Sequence, residues 1–489
     1  MSSLDSVLAP WVTVETGIRF NNMALDSRKI EPGDLFVAVQ GHLLDGRDFI
    51  EAAIAKGAVA ILCQADQSGR LPDQGGVPVV GIRALPQHLS AVALRAYPQA
   101  SEPRLVGVTG TNGKTTVTQL YAQLRTGLDE RTGVMGTVGN GLWGQLTPSA
   151  NTTSDAVTVA ATLAAQAQAG ASAVAMEISS HGLSQNRVSA LPIEVAVFTN
   201  LSRDHLDYHG DMESYAEAKR QLFSQPGLQG SVLNLDDEYG SLWHRQLKGQ
   251  MRALGYSIDG ARCEGDYLTA TDLRFTDAGV EARLESSFGQ GQLRSPLLGK
   301  FNLANLLAAL GALLMQGYPL ADLLAQVAKL QPAAGRMERY QGSTGPTLVV
   351  DYAHTPDALE QALSALRHHC QGQLWCLFGC GGERDRGKRP MMAQSAERFA
   401  DRLVITADNP RSEAFDQIVQ DMLPGLQKPD GALVIEDRAE AVRQAYQQAA
   451  DGDLILLAGK GHEDYQLIQG KTLSYNERHL AQALTGEEQ

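Results

Sequence analysis

Short runs of Val, Ile, Leu and Phe recur along the chain, separated by longer stretches rich in Ala, Leu and Gln. Apolar runs of four to six residues bounded by turn residues read as buried strands, and the longer stretches as helices. Strands are predicted over 34–39, 59–62, 104–108, 173–176, 195–199, 347–350, 374–378, 402–406 and 453–457. Helices are predicted over 117–125, 212–223 and 303–315, and a Pro/Gly/Asp-rich loop over 66–77. Strands that alternate with helices from end to end predict an α/β chain with largely parallel sheets. The sequence carries no repeat of about 20–50 residues, which argues against solenoids and propellers.

A length of 489 residues gives room for about three domains of about 150 residues each. The pattern divides into blocks at 1–95, 96–335 and 336–489. Hydrophobic residues make up 43% and charged residues 20%, which excludes a mainly disordered chain. The net charge of −14 disfavours general binding to nucleic acid or anionic lipid, so neither partner is expected. It leaves room for a phosphorylated ligand held by local cations. The five cysteines are an odd number without paired spacing and read as reduced thiols. The first residues, MSSLDSVLAPWV, lack a basic leader, and the most apolar helical stretch is too short for a bilayer. A cytoplasmic monomer is expected.

The strongest local motif is GTNGKTT: Gly110, Thr111, Asn112, Gly113, Lys114, Thr115 and Thr116. It lies between a predicted strand and a predicted helix. Glycines there let the backbone approach a phosphate chain, and helix N-terminal amides point at it. Lys114 can reach β- and γ-phosphates and Thr115 can hold Mg²⁺. The Walker A spacing would place its first glycine at Val108, so the loop is a shortened form.

Glu177 ends a predicted strand within MEISSHGL and is placed to hold Mg²⁺. FTNLSRDHLDYHG follows another strand and offers Asp204, His205, Asp207 and His209. The two aspartates and His209 read as caps and loop hydrogen-bonding groups. Lys219 lies on a predicted helix, where position alone makes it a solvated residue.

The third block repeats one design. Apolar strands end in the polar loops DYAHTP, GCGGERDRGKRP, ADNPRSE and AGKGHE. In open parallel sheets ligands bind beyond the carboxyl ends of strands. Arg411 in DNPR can grip a carboxylate through two parallel hydrogen bonds, while Asp408 and Glu463 can accept from an ammonium. Arg384 adds another cation.

With TGTNGKTT, NTTS, MEISSHGL, TNLSRDHLDYHG, YAEAKRQLF, GKFNLAN, GRMER, DYAHTPDAL, GERDRGKRP, DNPR and GKGHE in order, the chain resembles the Mur ligase family along its full length. The resemblance implies an N-terminal UDP-substrate domain, a central P-loop mononucleotide-binding domain and a Rossmann-like C-terminal amino-acid-binding domain. It implies ATP as co-substrate, Mg²⁺ as cofactor, and UDP-MurNAc-L-Ala-D-Glu and meso-diaminopimelate as small-molecule substrates. The reaction would run through an acyl phosphate of the D-glutamate γ-carboxylate.

Residue by residue, the resemblance implies that Gly110 to Thr116 bind ATP phosphates. Asn302, Arg336 and Asp351 would contact the nucleotide. Lys114, Glu177, His205 and Lys219 would be catalytic, and Thr115, Glu177, His205 and Lys219 would serve the metal, with Lys219 carbamylated. Leu25, Ser27, His42, Leu43, Leu44, Asn151, Thr152, Thr153, Ser179, Gln185 and Arg187 would hold the nucleotide-sugar peptide; Leu43 and Leu44 depart from the usual pattern. Arg384, Asp408, Asn409, Pro410, Arg411, Gly459 and Glu463 would bind the incoming amino acid. Arg411 favours diaminopimelate over lysine, which lacks the distal carboxylate. A lysine-adding relative, a P-loop NTPase without ligation, and a nucleotide-sugar-binding module with an inert P-loop are the alternatives.

Overall fold

A computed structural model describes residues 1–41, 44–276 and 278–486. The chain divides into two compact units, one holding most of residues 1–256 and the other most of residues 257–489.

The first unit opens with a five-stranded sheet in the order Met23–Ala24, Leu35–Ala38, Ala60–Ala65, Val77–Arg83, Gly69–Gln74. All neighbours are parallel except the last pair. Sequence reasoning read 66–77 as a loop; it instead contains the strand Gly69–Gln74, hairpinned onto Val77–Arg83. Gln74 faces Val77 across Gly75 and Gly76, which have φ of 55° and 80°. Two consecutive positive-φ glycines make the tight turn whose twist matches paired strands. The same glycines therefore mark a hairpin rather than a break.

The larger sheet of this unit runs Gly139–Leu142, Thr132–Gly136, Ala173–Glu177, Arg104–Thr109, Ile193–Phe198, Gly230–Asn234, Arg252–Ser257. Only the first pair is antiparallel. The central strands are buried on both faces, which explains their continuous apolar runs. Register aligns Val108 with Glu177 on one side and with Val197 on the other. The loops after all three strands consequently leave the sheet at one edge.

In the second unit, Asp266–Thr276, Gly279–Ser286 and Gly289–Ser295 form an antiparallel meander that the search for apolar runs did not predict. Gly279–Ser286 alternates buried residues such as Val280, Ala282 and Leu284 with outward Arg283 and Glu285, so no continuous apolar run betrays it. A six-stranded sheet follows in the order Glu338–Tyr340, Thr347–Asp351, Leu454–Ala458, Leu374–Phe378, Arg402–Ile405, Ala432–Val434. All pairs but the first are parallel. The predicted helix over 212–223 is α-helical at Met212–Arg220 and tightens to a 3-10 turn at Gln221–Ser224.

One buried ion pair anchors the second unit's last helix, Glu477–Thr485. Arg438 and Glu477 both have 0% side-chain exposure. Arg438 donates to Glu477 Oε1 at 2.7 Å and Oε2 at 2.9 Å, and to the Ala458 carbonyl at 2.7 Å. The Tyr475 hydroxyl adds a donor to Glu477 at 2.9 Å. Removing one member leaves a buried charge unpaired, whereas removing both leaves an apolar contact. Arg438→Met should therefore destabilise this unit by about 3–5 kcal/mol, and Arg438→Met with Glu477→Leu should recover most of the loss. Scanning calorimetry of the three proteins checks this; equal melting temperatures for the single and double variants would refute it.

Candidate active site

The loop after Arg104–Thr109 turns at Gly110, with φ of 149°, and reaches the helix Lys114–Thr126 through Gly113, with φ of 85°. A Cβ on Gly110 would lie 1.9 Å from Thr199 Oγ1, so only glycine fits. The loop is braced by the segment after the neighbouring strand. Thr111 N–H donates to the Asn200 carbonyl at 2.8 Å, Asn112 N–H to Asn200 Oδ1 at 3.0 Å, and Thr199 Oγ1 to the Asn112 carbonyl at 2.6 Å. Lys114 Nζ folds back onto the Gly110 and Thr111 carbonyls, each at 2.9 Å. The helix presents its electropositive end to the loop, as anion binding requires.

Lys219 is not a solvated helix residue. Its side chain is buried, and Nζ donates to the same Gly110 carbonyl at 2.8 Å. It lies 4.5 Å from the centre of the Tyr215 ring, whose hydroxyl is 3.2 Å from Thr111 Oγ1. Burial, and then the Lys114 charge, push the Lys219 amine well below the ordinary lysine range. Burial also raises the Tyr215 hydroxyl to about 12. The buried face of its helix is legible in the sequence as Tyr215, Ala216, Ala218 and Lys219 together.

Glu177 is buried, accepting from Thr137 N–H at 2.8 Å and Thr137 Oγ1 at 3.2 Å. Thr152 Oγ1 lies 3.0 Å from Thr137 Oγ1, and Thr153 Oγ1 donates to the Glu177 carbonyl at 2.9 Å. Thr137 had no sequence signal of its own. His205 is held at φ 53°. Burial first, then the Lys114 and Lys219 charges, lower its imidazole below the usual range against the opposing pull of Asp204. Thr115 and Glu177 offer the hard oxygen donors that Mg²⁺ takes, and the softer His205 imidazole is suited to hydrogen-bond a water on the ion. Among the described residues no three His, Cys, Asp or Glu converge as a metal cage. Mg²⁺ commonly takes one or two protein ligands and completes its shell with phosphate oxygens and water, and this donor set fits that mode.

The residues implied for the nucleotide-sugar peptide fall into separate groups. Ser179 N–H donates to Thr153 Oγ1 at 2.9 Å, and Arg187 donates to the Thr153 carbonyl at 2.5 Å. Arg187 also grips Gln185 Oε1 at 2.6 and 3.1 Å. Thr153, Ser179, Gln185 and Arg187 are thus one hydrogen-bonded group, while Asn151 is exposed nearby in sequence. Leu25 lines a cavity of about 900 Å³ in the first unit, together with Asp26, Lys29 and Asp155. Ser27 is buried in a 3-10 turn and does not line it. Leu44 is exposed, and His42 and Leu43 lie outside the described residues.

In the second unit, Asn302 donates to the Leu298 carbonyl at 2.9 Å. Asp351 accepts from the Met337 and Ala353 amides, each at 2.8 Å, and burial raises its carboxyl above the usual range. It therefore has a structural task beyond any ligand contact. The Arg336 guanidinium lies 4.8 Å from the centre of the Tyr352 ring.

The four third-block loops meet at the carboxyl edge of their sheet. They enclose a cavity of about 390 Å³ lined by Arg384, Asp408, Asn409, Arg411, Gly459 and Glu463, with Tyr352, His354, Cys380 and Lys388. Pro410 stays outside the lining; its carbonyl abuts Gly382, where a Cβ would lie 2.0 Å away. Arg411 adopts φ 56° and spends Nη1 on the Gly382 and Asn409 carbonyls at 2.8 and 3.3 Å. Its Nη2–Nε edge has no protein acceptor among the described residues, and that edge is the geometry for a bidentate carboxylate. Burial raises the Asp408 carboxyl above the usual range. Sequence reasoning passed over Lys460, which is buried behind this wall against Glu463 and Asn409. Its position inside GKGHE was the available signal.

A P-loop lobe followed by a Rossmann-like lobe with a polar cavity at its strand ends is the arrangement of a nucleotide-dependent ligase. Three family models match: the Mur ligase family catalytic domain over 19–97, the Mur ligase middle domain over 108–313, and the Mur ligase glutamate ligase domain over 335–461. The chain belongs to the Mur ligase family. It is 49% identical over 99% of its length to the UDP-N-acetylmuramoyl-L-alanyl-D-glutamate–2,6-diaminopimelate ligase of Vibrio cholerae, 98% of which is covered. The same identity and coverage hold for the enzyme of that name from Vibrio vulnificus. A solved structure of a ligase with that name superposes with a TM-score of 0.73 at 39% identity, covering 99% of both chains. The MurF ligase of Thermotoga maritima in complex with ADP shares the fold, with a TM-score of 0.65 at 18% identity, 90% of this chain and 94% of that one being covered.

Gly110→Ala should abolish tight nucleotide binding, because the added methyl meets Thr199 Oγ1 at a positive φ. Calorimetric titration with ADP measures it; an affinity within about threefold of the parent would contradict the assignment of this loop.

Proposed function

We infer that the chain is an ATP-dependent ligase of peptidoglycan synthesis that joins meso-diaminopimelate to the D-glutamate γ-carboxylate of UDP-MurNAc-L-Ala-D-Glu. The observation that carries this is the 390 Å³ cavity, in which an Arg411 fork faces the same space as Asp408 and Glu463. An arginine edge beside two carboxylates suits an end that carries both a carboxylate and an ammonium. Diaminopimelate has such an end on its far side, whereas lysine has only the ammonium. The diaminopimelate-adding relatives at 49% identity support the same substrate.

A free carboxylate is a poor acylating agent. Its oxygen attacks the γ-phosphorus of ATP, the bond to ADP breaks, and an acyl phosphate forms. The amine nitrogen then attacks the acyl carbon, a tetrahedral intermediate collapses, inorganic phosphate leaves and the nitrogen loses a proton. Gly110 to Thr116 would cradle the phosphates, with Lys114 turning from the loop carbonyls to the transferred group. Asn302, Arg336 and Asp351 would serve the nucleotide. Thr153, Ser179, Gln185 and Arg187 would position the peptide end of the nucleotide sugar. Mg²⁺, held through Thr115, Glu177, His205 and a carbamylated Lys219, would neutralise charge on the phosphoryl oxygens. Carbamylation is favoured where the lysine is neutral. The neutral Lys219 nitrogen would bond to the carbon of CO₂ and lose a proton, turning a neutral amine into an anionic carbamate.

Phosphate release from ATP with the UDP-linked dipeptide tests the function. Release should require meso-diaminopimelate; equal release without any amine would identify an NTPase instead. Arg411→Ala should raise the KM for meso-diaminopimelate by about 10- to 100-fold and erode preference over L-lysine. Unchanged preference would mean that another group reads the distal carboxylate.

Lys219→Ala should lose at least about 100-fold in kcat and be partly rescued by short carboxylic acids. In protein equilibrated with ¹³C-bicarbonate, a carbamate resonance should appear and be missing from the variant. Acidification through the depressed Lys219 pKa protonates the amine and releases CO₂, so the resonance and the activity should fall together as pH drops. Full activity of Lys219→Ala would remove the carbamate from the mechanism.

A further inference from the structure

We propose that Lys460 is a positioning residue that sets the geometry and the charge of the amino-acid cavity from behind its wall. The proposal rests on the ligase reading above and concerns how that site selects its amine. Lys460 has 0% side-chain exposure and does not line the cavity. All the polar groups it reaches do. Its Nζ lies 2.6 Å from Glu463 Oε2, 3.1 Å from Asn409 Oδ1 and 3.7 Å from Asp408 Oδ1. Those residues come from two different loops, so one buried cation joins the DNPR and GKGHE loops at the point where they face the ligand.

The joint is cross-braced. Asn409 Nδ2 donates to Glu463 Oε2 at 3.1 Å, and Asn409 Oδ1 also accepts from Leu467 N–H at 2.9 Å. Lys460 and Asn409 together therefore fix the Glu463 carboxylate and its orientation. Glu463 keeps its other oxygen, Oε1, 3.4 Å from the Tyr352 hydroxyl. Asp408 Oδ1 is buried without a hydrogen-bond partner, and Lys460 stands near it. Asp408 Oδ1 is thus the oxygen turned toward Lys460, and the buried cation is the charge closest to offsetting it.

Charge follows from the same geometry. Asp408 and Glu463 present two negative charges to the cavity, and Lys460 offsets one of them from behind. With Lys460 offsetting one of them, the two carboxylates keep one net negative charge for a ligand ammonium, while Arg411 takes the carboxylate. Without Lys460 the wall becomes more negative by one charge, which favours an end with an ammonium alone. Lys460 thus contributes to discrimination against lysine without touching either amino acid.

The test is steady-state kinetics of the full-length enzyme with Lys460→Met, Glu463→Gln and the double variant. ATP, UDP-MurNAc-L-Ala-D-Glu, meso-diaminopimelate and L-lysine are varied in turn. Lys460→Met should raise the KM for meso-diaminopimelate by about tenfold or more, while the KM values for ATP and the nucleotide sugar stay within about twofold. The ratio of kcat/KM for meso-diaminopimelate over L-lysine should fall by about tenfold. Because Glu463 is the partner Lys460 holds at the shortest distance, adding Lys460→Met to Glu463→Gln should change the KM for meso-diaminopimelate by less than about threefold. The double variant leaves no partner of that pair unpaired, so it reports even if Lys460→Met does not fold. Multiplicative effects in the cycle, or a KM rise shared equally by all substrates, would overturn the proposal. A parent enzyme that releases phosphate without any amine would instead overturn the ligase reading.

Discussion

Parallel pairing places the carboxyl end of every strand in a sheet at one edge, and the chemistry of this protein depends on that constraint. Val108 stands in register with Glu177 and Val197, so the P-loop, the Glu177 segment and the Thr199 segment leave the first unit's large sheet together. Asp351 pairs with Ala458, and Phe378 with Ile405, so the second unit repeats the arrangement. Residues far apart in sequence reach a common site because their strands stop together. The loops themselves carry little stabilising apolar surface and are free to carry polar groups.

Those polar groups are expensive, and the structure holds them by hydrogen bonds or by pairing of charges. Arg438 is buried with Glu477 and Lys460 with Glu463, and in each case the carboxylate has a further hydrogen-bond donor. Lys219 is held differently. It shares the Gly110 carbonyl with Lys114, and no carboxylate approaches it within ion-pair distance among the described residues. A lysine so placed holds its proton less tightly than one in water. The difference between Lys219 and Lys460 is thus a difference in partners, although both are almost fully buried.

Much of this was legible in the sequence because the site rests on glycines and strand ends. Gly110 and Gly113 announce the P-loop, and the apolar run before each polar loop announces where it leaves the sheet. The antiparallel meander was not legible, because its alternating pattern with one solvated face never forms an apolar run. The Gly75–Gly76 hairpin was present as a signal and was read with the wrong meaning, since polar strand residues around it resembled a loop. Glycine pairs need their flanks to be read for pairing before they are read as breaks.

The side chains that were missed share another property: they act on other side chains. Thr137 holds Glu177 and Lys460 holds Glu463; residue type does not mark such a group, and only the place of Lys460 inside GKGHE hinted at its part. Arg411 drew notice in the sequence because a guanidinium in a loop after a strand can reach outward to a carboxylate. Its positive φ and the spending of Nη1 on two carbonyls show what the sequence could not, namely which edge of the guanidinium is left for a ligand. Selectivity in such a cavity lies in these fixed orientations as much as in the identities of the lining residues. An arginine free to rotate could satisfy itself on Asp408 or Glu463 and would then read no carboxylate. The carbonyls that hold Nη1 prevent that, and they are set by the DNPR and GCGGERDRGKRP loops leaving adjacent parallel strands at the same edge.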